Sequence, residues 1–398
     1  MNNIKKIVCL TRNYPTGQMI FGVRLVYDYP ISVVGGLSAA YQVENRKITG
    51  ASVQGCIVTL TLCLDDIAAS VIPHLSSNQH HDDKPKSNAE SLATHEQKSY
   101  PSHHKSLLPR VVRVCQVKDI VTADGTIIPA DGRWVSSDEA EEPVISQFHQ
   151  IKYQNIWYNL YVPESYDARK RYPLVLFIHD VGSCGTDSQT TLAQGNGAIT
   201  WATHEWQAKH PCIVLAPQIT TRKDKSVEFI KGLVDSVLAN YSIDQKRIYA
   251  TGQSMGCMTI CEMCVHYPTY FAACLLVAGQ WDAEAMAESC TGCKFWILVS
   301  NHDERAFPGM NAITQAMEEK GVRIGRYCWD AKLPSDVLTK FAKDAMMEDV
   351  DIRYTFFDES SVVPIGKEAN FLSNHRFTWS VAYEIEGVKE WLFSCVAE

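Results

Sequence analysis

The sequence holds no apolar run long enough to cross a bilayer, so no membrane-spanning helix is expected. Near its start, Ile7-Val8-Cys9-Leu10 follows Lys5-Lys6, too short an apolar stretch for the core of a secretion leader. An excess of positive charge is also missing: 37 Lys and Arg face 45 Asp and Glu, for a net charge of −8. No dense basic patch adjoins an aromatic cluster, so no nucleic-acid surface is expected. Internal repeats are absent. The 14 cysteines occur without a leader, which points to reduced thiols and a cytoplasmic location. A secreted form already trimmed of its leader would read the same.

At 398 residues, 46% of them apolar, the chain can build one large domain and a smaller one. Residues 1–120 read as a small all-β unit, because short apolar segments such as Met19–Tyr27 alternate with turn residues at Gly35-Gly36, Asn45 and Gly50. Within it, about residues 75–106 form a polar insertion with little to bury. The insertion holds or adjoins six histidines, His74, His80, His81, His95, His103 and His104, in no metal-ligand spacing. Residues 121–150 read as a connecting segment. From 151 to 398 the texture is α/β. The apolar runs 173–179 and 212–217 read as strands covered on both faces. Helical periodicity follows over 227–241. Strands are expected at 247–251, 273–278, 294–299 and 352–357, with helices at 309–320 and 380–394. This alternation implies a doubly wound, mostly parallel sheet.

One run carries the chemistry: Arg247-Ile248-Tyr249-Ala250-Thr251-Gly252-Gln253-Ser254-Met255-Gly256-Cys257. It reads as a strand ending at Gly252, a turn holding Ser254, and a helix from Met255. Gly-X-Ser-X-Gly in that setting lifts a serine hydroxyl above the sheet, with glycines where side chains would collide.

A serine hydroxyl needs a base, and the base needs an orienting carboxylate. In such a sheet these groups sit at the carboxyl ends of strands. Of the histidines after Ser254, His266 lies along the helix and points away. His302 adjoins the acid candidate. His375 is expected in a loop between the last strand and the last helix, able to reach the serine. Asp303 directly follows strand 294–299, with Glu304 as runner-up, and Asp330, Asp336 and Asp358 fit less well. The order Ser254, Asp303, His375 is the one this fold uses. Oxyanion donors are expected from the N–H groups of Met255 and of Val181, in the loop after His179. Trp281, Gln253, Phe307 and Trp379 are candidate substrate-binding residues beside these strand ends.

The segments Pro173–Asp187, Trp201–Thr203, Gln207–Pro211 and Leu215–Gln218, with Gly252–Gly256 and Asn374–Trp379, resemble α/β-hydrolase esterases. The likeness is to the polyhydroxybutyrate-depolymerase-like branch that includes feruloyl and acetyl esterases, and it covers about residues 150–398. Phe21–Thr61 resembles, more faintly, the N-terminal immunoglobulin-like domain of some of these enzymes, a small β-sandwich. The resemblance implies hydrolysis of carboxylic esters, of small acyl or hydroxycinnamoyl type, free or linked to polysaccharide. One departure stands out: the family has His-Gly where this chain has His179-Asp180, and an inward aspartate would oppose an oxyanion.

No metal or organic cofactor is expected. Cys261-Glu262-Met263-Cys264 and Cys290-Thr291-Gly292-Cys293 have zinc-like spacing, but Cys257, Cys261 and Cys264 recur on one helix face and read as small packing residues. Two other functions fit: a serine peptidase on the same scaffold, and a non-catalytic protein binding carbohydrate or a partner. An oligomer is compatible with the sequence. The N-terminal unit is expected to pack on the catalytic domain and narrow the pocket entrance.

Overall fold

A computed structural model of the chain describes residues 4–32, 36–73, 106–221 and 226–397. The polar insertion and its histidines fall almost entirely outside the described residues. The dominant element is a nine-stranded sheet. In spatial order its strands are His149–Tyr153, Ile156–Tyr161, Ile213–Pro217, Tyr172–Ile178, Ile243–Gln253, Ala273–Val277, Phe295–Ser300, Ile352–Phe357 and Ile324–Trp329. The first two pair antiparallel, and Ile156–Tyr161 is antiparallel to Ile213–Pro217; every other pairing is parallel. Tyr172–Ile178 and Phe295–Ser300 are buried at every residue, as continuous apolar runs require when helices cover both faces. Two apolar clusters result. One joins the helices Val227–Asn240, Met255–His266 and Ala306–Glu319 to the sheet. The other includes Tyr249, Trp296, Tyr383 and Trp391.

The N-terminal strands form a five-stranded sheet, ordered Glu139–Glu141, Ile4–Tyr14, Gly17–Tyr27, Ile57–Leu62 and Ile48–Gln54, and a three-stranded sheet of Tyr41–Val43, Arg113–Gln116 and Trp134–Ser136. Their apolar residues, among them Val23, Leu60, Val43 and Val114, share one core. The Tyr27 and Tyr41 hydroxyls meet across them at 2.8 Å. The segment 121–150 is more than a connection, since Trp134–Ser136 and Glu139–Glu141 complete these sheets.

The strand end and tight turn at Asn13–Thr16 dock this unit on the helices Thr190–Ala193 and Phe371–Ala382. Asn13 Nδ2 donates to Leu192 O at 2.9 Å, and Ser380 Oγ to Pro15 O at 3.1 Å. Both bonds join the N-terminal unit to the α/β unit. No helix among the described residues is long and apolar enough to cross a membrane.

Candidate active site

The strand Ile243–Gln253 ends against Ile178 and Val277 of its two neighbours, with Gly252 opposite Ile178 and Gln253 opposite Val277. The chain then turns through Ser254 at φ 52° and ψ −115° into the helix Met255–His266. A non-glycine residue held at positive φ stores roughly 1–3 kcal/mol of strain, which surrounding structure must enforce. Here the flanks enforce it. A methyl group on Gly252 would stand 2.6 Å from the Gly256 carbonyl carbon. One on Gly256 would stand 1.9 Å from Ile178 O.

The structure brings Ser254, His375 and Asp303 together. His375 Nε2 lies 2.9 Å from Ser254 Oγ, and His375 Nδ1 lies 2.6 Å from Asp303 Oδ2. A carboxylate only accepts, so Nδ1 carries the hydrogen and Nε2 is left to receive the serine proton. Asp303 is fully buried. Its other oxygen accepts from the N–H groups of Arg305 and Ala306 at 3.1 and 3.0 Å, where the helix Ala306–Glu319 begins. The carboxylate is thereby aimed from both sides. Glu304, the runner-up, is exposed.

His375 is on a helix, Phe371–Ala382, rather than in the expected loop. Asn370 caps that helix in a capping box with Ser373, a signal present in the sequence as Asn370-Phe371-Leu372-Ser373. The imidazole is flanked one turn away on each side by Phe371, with ring centroids at 6.0 Å, and by Trp379 at 5.3 Å.

Sequence reading missed Asn374. It is buried, accepts from Ser300 Oγ at 2.8 Å, and donates to Ser360 Oγ at 3.1 Å and Asn370 O at 3.0 Å. Ser300 ends the strand leading to Asp303, so Asn374 pins the histidine helix to the acid's strand. Asn374→Ala would leave buried partners unsatisfied, at about 1–3 kcal/mol. We expect a lower urea midpoint together with a reduced kcat, measured on the purified variant.

His179 is fully buried. Its Nδ1 donates to Asp180 O at 2.7 Å and its Nε2 accepts from Ile219 N–H at 3.0 Å. Burial holds its pKa below the ordinary histidine value, so it is a neutral structural side chain. Asp180 caps the short turn Val181–Ser183. Its carboxylate accepts from Gly182 N–H at 2.6 Å, Ser183 Oγ at 2.9 Å and Gln253 Nε2 at 3.4 Å. Val181 is exposed and begins the turn; Met255 begins its helix, so neither N–H has an acceptor within its own element.

Of the candidate substrate-binding residues, Trp379 lies beside His375. Gln253 is buried and donates to Gln194 Oε1 at 2.8 Å, which makes it a brace rather than a surface group. Trp281 and Phe307 are half-buried against the apolar cluster under the nucleophile helix, and Phe307 meets Phe356 at 5.6 Å. A cavity of about 410 Å³ lined by Lys170, Arg171, Lys209, His210, Arg247 and Phe393 lies where the interior strand Tyr172–Ile178 begins, at the opposite end of the parallel strands from Ser254. It contains none of the three relay residues. Cys261, Cys264, Cys290 and Cys293 are buried free thiols, and Cys264 Sγ sits 3.7 Å from Cys274 Sγ. Among the described residues no group of three or more His, Cys, Asp and Glu is arranged to hold a metal.

Sheet order, the strand–turn–helix at Ser254 and the helices on both faces define the α/β-hydrolase fold. The chain superimposes on a crystal structure of a thermostable esterase with a TM-score of 0.76, at 21% identity, over 99% of this chain and 100% of that one. That likeness in fold takes in the N-terminal sheets. In sequence the chain is similar to a probable feruloyl esterase C of Aspergillus terreus, 29% identical over 104 residues, and to poly(3-hydroxyalkanoate) depolymerase C of Paucimonas lemoignei, 40% identical over 63 residues. The matches take in 25% and 16% of this chain, and span 37% and 15% of the relatives' own lengths. No family model matches the chain.

Proposed function

We propose that the chain is a serine carboxylesterase working through an acyl-enzyme. The observation that carries this is the unbroken relay from Ser254 Oγ to His375 to Asp303, at 2.9 and 2.6 Å. Ser254 attacks the ester carbonyl as His375 Nε2 takes its proton. Asp303 keeps the imidazole in the receptive tautomer and stabilises the imidazolium. The Met255 N–H, at the positive end of its helix, and the Val181 N–H receive the oxyanion. His375 then protonates the departing alcohol. Water, activated by the same imidazole, releases the acid and restores the serine.

The acyl group is of small or hydroxycinnamoyl type. Support comes from the two proteins it resembles in sequence, a probable feruloyl esterase and a poly(3-hydroxyalkanoate) depolymerase. Phe371 and Trp379 also put aromatic surface beside His375. The test is a side-by-side panel of p-nitrophenyl acetate, p-nitrophenyl butyrate, methyl ferulate, acetylated xylan and an aminoacyl-nitroanilide. Turnover of one or more esters without cleavage of the anilide is expected. Cleavage of the anilide alone would replace the esterase with a peptidase. A wild-type chain that turns over none of them and is not labelled by a fluorophosphonate would be a binding protein.

A further inference from the structure

We propose that Asp180 is a positioning residue for the oxyanion site: its carboxylate locks the turn Val181–Ser183 so that the Val181 N–H is the donor left open. This rests on the esterase reading above. Four N–H groups follow Asp180, and three are already committed. Gly182 N–H donates to Asp180 Oδ1 at 2.6 Å, Ser183 N–H to Asp180 O at 3.2 Å, and Cys184 N–H to Val181 O at 3.3 Å. Val181 N–H, first in the turn, has no partner within it.

The second carboxylate oxygen accepts from Ser183 Oγ at 2.9 Å and, at the long limit of 3.4 Å, from Gln253 Nε2. Gln253 immediately precedes Ser254 and is itself held by Gln194 at 2.8 Å. One side chain thus spans the oxyanion turn and the strand end that presents the nucleophile. Glycine at this position would leave the Gly182 N–H free and the turn unclamped.

A rival effect has the opposite sign. A carboxylate near a developing oxyanion repels it, and removing the charge would then speed the reaction. Both carboxylate oxygens are engaged by donors belonging to Gly182, Ser183 and Gln253. Their commitment favours the clamp over the repulsion, and substitution separates the two.

The experiment compares Asp180→Ala, Asp180→Asn and Asp180→Ser in the full chain, with kcat and KM for p-nitrophenyl butyrate. Asparagine and serine can still accept from Gly182 N–H; alanine cannot. Loss of one oxyanion donor commonly lowers kcat about 10²–10³-fold, so a misdirected donor should lower it about tenfold or more. We expect that loss in Asp180→Ala with KM little changed, and Asp180→Asn and Asp180→Ser within about threefold of wild type, rescued by the retained cap. A purely structural defect would not be restored in this order. The proposal is overturned if Asp180→Ala matches or exceeds wild type, if its loss lies in KM, or if Asp180→Asn is as slow as Asp180→Ala. Should Asp180→Ala fail to fold, a tenfold loss in Asp180→Asn or Asp180→Ser overturns it equally. Ser254→Ala with and without fluorophosphonate is run beside them. If that variant still turns over ester, the esterase mechanism itself has failed, an outcome separate from any Asp180 result.

Discussion

Ser254→Ala is expected to lower kcat for p-nitrophenyl esters by at least about 10³-fold, with folding left intact. The substitution deletes the atom that bonds to carbon, and nothing else in the relay can replace it. The acyl-enzyme route closes, and only binding and oxyanion stabilisation of direct water attack remain. The structural consequence is small. Oγ bonds to His375 Nε2, and alanine is no larger than serine. The lost hydrogen bond amounts to about 1 kcal/mol, so a shift in Tm of only a few degrees is anticipated. Steady-state turnover, an acyl-enzyme burst and fluorophosphonate labelling check this together. A variant retaining a tenth of wild-type turnover would show that Ser254 is not the nucleophile.

Legibility in the sequence followed apolar contrast. The buried strands 172–178 and 295–300 are largely continuous apolar runs, and strand ends fix where functional groups stand, so Asp303 is legible from its place just after 295–300. The helix Phe371–Ala382 was not legible for a physical reason. Its inward face is Asn374, Thr378 and Ala382, correctly spaced for a helix but mostly polar, so a search for apolar periodicity passes over it. That polar face exists because Asn374 must bond Ser300 and Ser360. Two other elements escaped. The strand Ile324–Trp329 is an edge strand carrying Arg326 and an exposed Cys328, and the helix Ser335–Met346 buries only Leu338, Ala342 and Ala345. The clamp joining Asp180 to Gln253 spans 73 residues between polar partners, a contact that local pattern cannot encode.

Gly256→Ala should be severely damaging to folding, at more than about 4 kcal/mol. In an ordinary helix this exchange gains up to about 1 kcal/mol, because alanine restricts the unfolded chain. At Gly256 the sign reverses. The added methyl would lie 1.9 Å from Ile178 O and 2.5 Å from Ile178 C, both backbone atoms of a strand paired on its two sides. No rotamer relieves a clash with backbone, so the helix Met255–His266 must lift from the sheet or the strand must leave its ladder. Either movement opens the core at Ile178 and Cys257 and carries Ser254 away from His375. Gly292→Ala is the matched control: that glycine has nothing within 4 Å of its missing methyl, and a change within about 0.5 kcal/mol is expected there. Soluble yield and urea midpoints of the two variants decide the matter. Equal midpoints would mean that the helix does not need to approach the sheet this closely, and the tight turn that presents Ser254 would lose its physical basis.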